Sequence, residues 1–192
     1  MSFLKRKIPF PKLCEYAFNT WGQHYIPNRE DYTRRAIEAA GVTFKPTKDQ
    51  LDFLWTQLEY YYVDLIVVYA YEYFGGKYES EQISYAVSKQ YAEFLLTELR
   101  KQDKETAGKT LDGVVDFIDA ISAKLESTGW EDTPMSVTDM VNKVAVPFAG
   151  MVLYDRITQK MPELKNVILQ LAVNTAMASA QAGFRIGKVT WN

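Results

Sequence analysis

The sequence predicts an all-α protein, a single-domain bundle of six or seven helices over residues 1–192. Apolar residues recur at spacings of three and four along nearly the whole chain. Cap signals, glycines and prolines divide these stretches into helix-sized segments. No stretch alternates apolar and polar residues between hairpin turns, as a strand would. With 47% apolar and 24% charged residues, the chain can bury one sizeable core.

The first two helices follow from local start and stop signals. After a proline-rich opening we expect a short helix over about residues 13–21. Asn28 is the expected N-cap of the second helix, because acidic residues follow it and suit the positive end of the helix dipole. Gly41 is the expected C-terminal glycine of that helix.

The third helix is expected to be the longest. Thr47 is its N-cap, and Gln50 stands at the capping-box spacing from it. The glycine pair at 75–76 ends it. Its second half is apolar on every face, which is typical of a helix that is buried on most sides.

Four further helices complete the bundle. Apolar stripes and chain breakers define each of them. We expect the fourth over residues 80–102, the fifth over about 110–129, the sixth from residue 133 or 136 past residue 154 with a kink at Pro147, and the last from Pro162 to about residue 184.

The last helix has no charged residue between positions 166 and 184. Its polar residues are too many for a membrane span, so we expect no membrane contact. Ala172, Ala176 and Ala180 recur every four residues, a spacing that allows two helix backbones to approach closely. This face is expected to pack either in the monomer core or on another subunit.

Cysteine and histidine each occur once, as Cys14 and His24. One cysteine cannot form a disulfide within the chain, and the N-terminus lacks the apolar region of a secretory signal, so we expect a soluble, cytoplasmic protein. A Cys–His nucleophile pair is conceivable. Without a local signature, we expect both to be packing residues near the rim of the core.

Charge is distributed unevenly although the total is only −2. Residues 1–48 carry +5, residues 49–132 carry −10 and residues 133–192 carry +3. The acidic middle is expected to lie beside the basic ends or, alternatively, to meet a divalent cation or a basic partner. No basic stripe with interleaved aromatic residues is present, so we expect no nucleic-acid binding.

The fifth helix carries a row of carboxylates opposite its apolar stripe. Asp112, Asp116 and Asp119 stand at positions i, i+4 and i+7, where like charges repel. Oxygen ligands of this kind suit Mg²⁺. The alternative is an acidic face in contact with solvent.

The stretch 109–120 resembles the metal-binding helix of the all-α nucleotide pyrophosphohydrolases, the MazG-like group. The resemblance implies four carboxylates that hold Mg²⁺ over a nucleoside triphosphate. Asp112 and Asp116 match the second acidic pair of that group, and Glu98 matches one member of the first. Leu95 stands where the other member belongs, so half of the signature is missing.

Two carboxylates interrupt the apolar third helix. Asp64 and Glu72 should each have a partner there, because a buried charge without one is costly. Neighbouring tyrosines such as Tyr60 and Tyr69 are candidate donors. The same residues could form the aromatic wall of a small-molecule pocket, and tyrosine-rich surfaces also occur in protein interfaces.

Three functions therefore remain open. The leading one is a non-enzymatic protein that acts by self-association or by binding a protein partner, without a cofactor. The second is a Mg²⁺-dependent pyrophosphohydrolase. The third is a small-molecule binder with an aromatic pocket beside the third helix.

Overall fold

The computed structural model describes residues 7–128, 134–172 and 188–191, and 79% of these residues are helical. Six helices have eleven residues or more, so the predicted all-α class is confirmed, in one body. In chain order the helices are α1 (Phe10–Thr20), α2 (Arg29–Ala39), α3 (Lys48–Tyr73), α4 (Ser80–Leu95), α5 (Lys104–Glu126), α6 (Val137–Met140), α7 (Val146–Lys160) and α8 (Lys165–Leu171). Within the described ranges, no helix is long and apolar enough to cross a membrane.

Helix α3 forms the centre of the bundle. Most of its residues from Leu54 to Ala70 are buried, as the apolar second half of the predicted helix requires. It packs against α4, α5 and α7, while α1 packs on α4, and α8 packs on α2 and α7. Among the described helices, α3 contributes the largest number of buried apolar side chains to the core, and their burial stabilises the fold.

The predicted caps of the third helix are confirmed. The Thr47 hydroxyl accepts a hydrogen bond from the Gln50 amide, and the Gln50 side chain accepts one from the Thr47 amide, which completes a capping box. Gly75 and Gly76 both have positive φ, which suits glycine after a helix end. Gly41 follows α2 in the same way.

The predicted end of the fourth helix and the predicted start of the fifth helix are wrong. Helix α4 ends at Leu95 and not at residue 102, and α5 begins at Lys104 and not at residue 110. The Asp103 side chain accepts a hydrogen bond from the Thr106 amide, and α5 therefore starts earlier in the chain than predicted. The segment between the two helices includes Lys101, a non-glycine residue with φ +52°.

Two π-helical turns continue helices beyond their regular part. Residues 21–25 extend α1, and residues 141–145 join α6 to α7. Pro147, where the kink was predicted, is the second residue of α7. Helix α1 begins at Phe10, three residues earlier than predicted. Asn28 stands at the predicted cap position, but its side chain donates to the His24 carbonyl and does not cap α2.

A two-stranded parallel sheet joins the two ends of the chain, and the sequence pattern does not predict it. Strand β1 (Lys7–Pro9) pairs with strand β2 (Lys188–Thr190). The Val189 amide also donates to the Tyr73 hydroxyl at 2.8 Å. The Trp191 ring stacks on Tyr78, with 4.1 Å between ring centroids, and holds β2 against the segment that follows α3.

Candidate functional site

The carboxylates predicted to bind Mg²⁺ do not form one site. Asp112 and Asp116 share the exposed face of α5. Asp116 forms an ion pair with Arg156 of α7 at 2.9 Å, and the Glu98 side chain is 96% exposed beside Lys101. Nowhere in the described parts of the chain do three Asp, Glu, His or Cys side chains come together as metal ligands do. The described residues therefore do not fit the metal site that the pyrophosphohydrolase resemblance implies.

The two carboxylates of the third helix differ in their surroundings. Glu72 is half-buried, and its Oε1 accepts a hydrogen bond from Asn142 at 3.4 Å. Asp64 is buried, and its Oδ2 has no hydrogen-bond partner among the described residues, so the partner predicted for Asp64 is not found there. Burial raises the pKa of Asp64 to about 7.

The two tyrosines predicted as partners are core residues. Tyr69 is 4% exposed. Tyr60 is 9% exposed and its hydroxyl lies over Gly113 of α5, where a Cβ atom would be only 2.2 Å from it. Tyr60 therefore packs α3 against α5 and does not line an open pocket in this region.

Only one of the three alanines with small-residue spacing can be placed. Ala172 directly follows α8 and is 4% exposed within the chain itself. This agrees with the alternative in which the small-residue face packs in the monomer core. Ala176 and Ala180 lie outside the described residues, and self-association through this face stays a prediction.

The single cysteine is not positioned as a nucleophile. Cys14 is fully buried in α1, and burial raises the pKa of its thiol to about 12, so the thiol stays protonated at neutral pH. His24, by contrast, is exposed on the π-helical turn. The two residues therefore do not form a catalytic pair.

A cleft of about 480 Å³ lies between the π-helical turn after α1, helix α2 and the end of α8. Its volume is within the range of small-molecule sites. We call it the aromatic cleft, because Trp21, Tyr25 and Tyr32 line it. His24, Arg35 and Gln170 supply polar groups to the same lining.

The π-helical turn determines where the aromatic side chains lie. Its wider turn is closed by the hydrogen bond from the Ile26 amide to the Trp21 carbonyl. Gly22 allows this turn to lie close to α4, because a Cβ atom there would be 3.0 Å from the Phe94 ring. Trp21 and Tyr25 are consequently fixed between the core and the cleft.

The rings form a continuous stack that begins in the core. Tyr62 of α3 stacks on Trp21 with 4.3 Å between centroids, and Trp21 stacks on Tyr25 with 3.8 Å between centroids. Tyr32 lies beyond Tyr25 at 6.0 Å. Stacked rings lose little further conformational freedom when a ligand binds, so this wall is preorganised.

Two buried polar atoms of this wall lack partners. Trp21 and Tyr25 are 2% and 4% exposed, and neither the indole N–H nor the phenolic hydroxyl has a hydrogen-bond partner in the described part of the chain. Comparable groups elsewhere are satisfied: the Trp55 indole donates to Thr33, and the Tyr62 hydroxyl donates to the Ala17 carbonyl. Leaving such a buried donor without a hydrogen-bond partner lowers the stability of the folded protein by about 1–3 kcal/mol.

An ion pair joins α3 to the segment that follows α4. Glu59 of α3 accepts a hydrogen bond from Tyr91 at 2.7 Å and pairs with Arg100 at 3.1 Å. Burial raises the pKa of Glu59, and Arg100 and then Tyr91 oppose that rise. Burial likewise raises the pKa of the Tyr25 hydroxyl well above its usual value, with a smaller opposing effect from Arg29, so Tyr25 remains a neutral donor.

Sequence reasoning did not find the aromatic cleft. It predicted an aromatic pocket from α3, whereas the cleft uses residues 21–25 and Tyr32. The run Trp21-Gly-Gln-His-Tyr25 is the local signal, because it places two amphipathic rings four residues apart around a glycine. The Glu59–Arg100 pair was also missed, since the two residues are distant in sequence.

Comparisons of this chain with protein-family models, with curated proteins and with solved structures find no match. The resemblance to the pyrophosphohydrolases stays a prediction that rests on residues 109–120 and Glu98.

Proposed function

We propose that this protein binds a small organic molecule in the aromatic cleft. The observation that carries the proposal is the pair of buried, unpartnered donors, Trp21 Nε1 and Tyr25 OH, among residues that line a cleft of about 480 Å³. Buried polar groups in folded proteins are satisfied in the great majority of cases. A ligand with hydrogen-bond acceptors that displaces the atoms covering Trp21 Nε1 and Tyr25 OH would give these donors partners.

The remainder of the lining suits the same role. Ala36, Ala39 and Leu171 contribute apolar surface beside the rings. Small-molecule sites combine such apolar walls with a few polar groups that orient the ligand. This proposal keeps the predicted class of aromatic small-molecule binder and transfers the pocket from α3 to the α1–α2 region.

A screen of aromatic fragments by ligand-observed NMR tests the proposal, with a variant that fills the cleft. Ala39 is exposed and lines the cleft, so Ala39→Phe places a ring inside it. Ala123 is an exposed alanine on α5 that is not part of the lining, so Ala123→Phe is the matched control.

We expect fragments whose affinity falls about tenfold or more in Ala39→Phe, a loss of roughly 1.4 kcal/mol, and is unchanged in Ala123→Phe. Both variants should unfold within a few degrees of the wild type, because each change lies at an exposed position. If every fragment that binds the wild type binds folded Ala39→Phe equally well, the cleft is not the binding site.

A further inference from the structure

We propose that the ligand of the aromatic cleft is a carboxylate on an aromatic or apolar body. This inference rests on the proposed function and specifies the chemical class of the ligand. Three features of the described residues support it: the kind of hydrogen-bonding group left unsatisfied, the charge of the lining, and the apolar part of the walls.

The unsatisfied groups require an acceptor. The Trp21 indole N–H can only donate, and the Tyr25 hydroxyl stays protonated because burial keeps its pKa high. An ionised carboxylate only accepts, and hydrogen bonds to it are stronger than those to a neutral oxygen. A carboxylate offers two accepting oxygens, and the described lining residues include two donors without a partner.

The charge of the lining favours an anion. Arg35 lies on the lining, and no aspartate or glutamate is among the described lining residues. The Nε atom of Arg35 lies 2.8 Å from Asp31, which leaves the terminal guanidinium nitrogens for a ligand. Asp31 also pairs with Arg34, and Arg34 pairs with Glu38 as well, so two carboxylates stand against two guanidinium groups on this part of α2. Arg35 is the one residue with a full charge among the described lining residues of the cleft.

The apolar walls favour an organic acid over a free inorganic anion. Alanine and leucine side chains and tyrosine rings supply apolar surface to the lining of the cleft. A fully hydrated ion such as phosphate would lose water there without replacement. An aromatic body would instead bury apolar surface against these walls.

Paired probes test the inference. The protein would carry ¹⁵N-labelled tryptophan side chains. We would titrate it separately with 2-naphthoate and with the uncharged 2-naphthamide. The chain has four tryptophans, so four indole N–H signals are expected, and Trp21→Phe assigns one of them. Trp55 is the internal control, because its N–H already donates to Thr33.

We expect 2-naphthoate to shift the Trp21 signal and leave the Trp55 signal in place, with an affinity about tenfold or more above that of the amide. Arg35→Gln should reduce this preference to about twofold or less. Arg34→Gln is the matched control, because Arg34 also pairs with Asp31 but does not line the cleft, and it should keep the preference.

Tyr25→Phe provides a second variant that keeps the ring stack. It removes only a hydroxyl without a described partner, so it should fold with unchanged or higher stability while it binds 2-naphthoate about tenfold more weakly. The analogous Tyr62→Phe removes a satisfied hydroxyl and should lower stability without this loss of affinity.

Three results would overturn the inference. Equal affinity for 2-naphthoate and 2-naphthamide would reject a carboxylate ligand, as would an unchanged preference in Arg35→Gln. An unmoved Trp21 signal at saturation would place the acid elsewhere. In each case the proposed function is decided separately, because fragments that lose affinity in Ala39→Phe would still mark the cleft as a binding site.

Discussion

Asp64 should make the stability of this protein depend on pH in a way that one substitution removes. The side chain is 5% exposed in α3, its Oδ2 has no described partner, and burial raises its pKa from 3.8 to about 7. The unfolded chain has the ordinary pKa. Between these two values the folded state binds one proton that the unfolded state has released, so the free energy of unfolding falls as pH rises.

The magnitude follows from the shift. About three pKa units correspond to about 4 kcal/mol, at 1.36 kcal/mol per unit. The contribution of the neutral acid is fully present below pH 4 and is lost progressively as pH rises to about 7. Asp64→Asn is nearly isosteric and always neutral, so the variant should match the wild type at pH 4 and exceed its stability by about 4 kcal/mol at pH 8.

Urea unfolding at intervals between pH 4 and pH 8 measures this difference directly. Asp52→Asn, an exposed position on the same helix, is the control, and its difference from the wild type should change little with pH. Parallel pH profiles for the wild type and Asp64→Asn would refute the reasoning, because they would mean that Asp64 is ionised in the folded protein at low pH.

Two further predictions concern packing. Gly108→Ala should raise the free energy of unfolding by about 0.5–1 kcal/mol, because a Cβ atom there meets nothing within 4 Å. Gly113→Ala should lower the free energy of unfolding by about 1–3 kcal/mol, because its Cβ atom would clash with the Tyr60 side chain. Chemical denaturation of both variants measures the order of their stabilities, and the reverse order would contradict the packing of α5 on α3. Trp191→Ala should lower the melting temperature by roughly 4–8 °C, or about 2 kcal/mol, because the stack on Tyr78 is lost; an unchanged melting temperature would show that β2 does not stabilise the fold.

Much of the fold could be predicted because its signals are local. Thr47 and Gln50 form a capping box between neighbours in sequence, and Gly41 ends a helix through its own backbone conformation. The end of α4 is different. Helical propensity continues past Leu95, but the following segment places Arg100 on the buried Glu59 of α3, and this tertiary ion pair is not visible in a single sequence.

The strands and the site could not be predicted for a related reason. Strand β1 pairs with a strand more than 170 residues away, and three residues are too few to give an alternating pattern. The predicted metal site treated Asp116 as a free carboxylate, whereas Arg156 comes to it from another helix. A π-helical turn, which determines the position of Trp21 and Tyr25, has no simple sequence pattern.

Buried polar groups without described partners occur both in the lining of the aromatic cleft and away from it. Trp21 and Tyr25 line the aromatic cleft, whereas Asp64 does not belong to its lining. Each of the three reduces stability, and proteins retain such conflicts mainly at functional sites. Tyr25→Phe and Asp64→Asn should therefore both stabilise the protein above pH 7, but only Tyr25→Phe should weaken binding. That contrast would distinguish an unpartnered group that lowers stability but binds a ligand from one that lowers stability without binding a ligand.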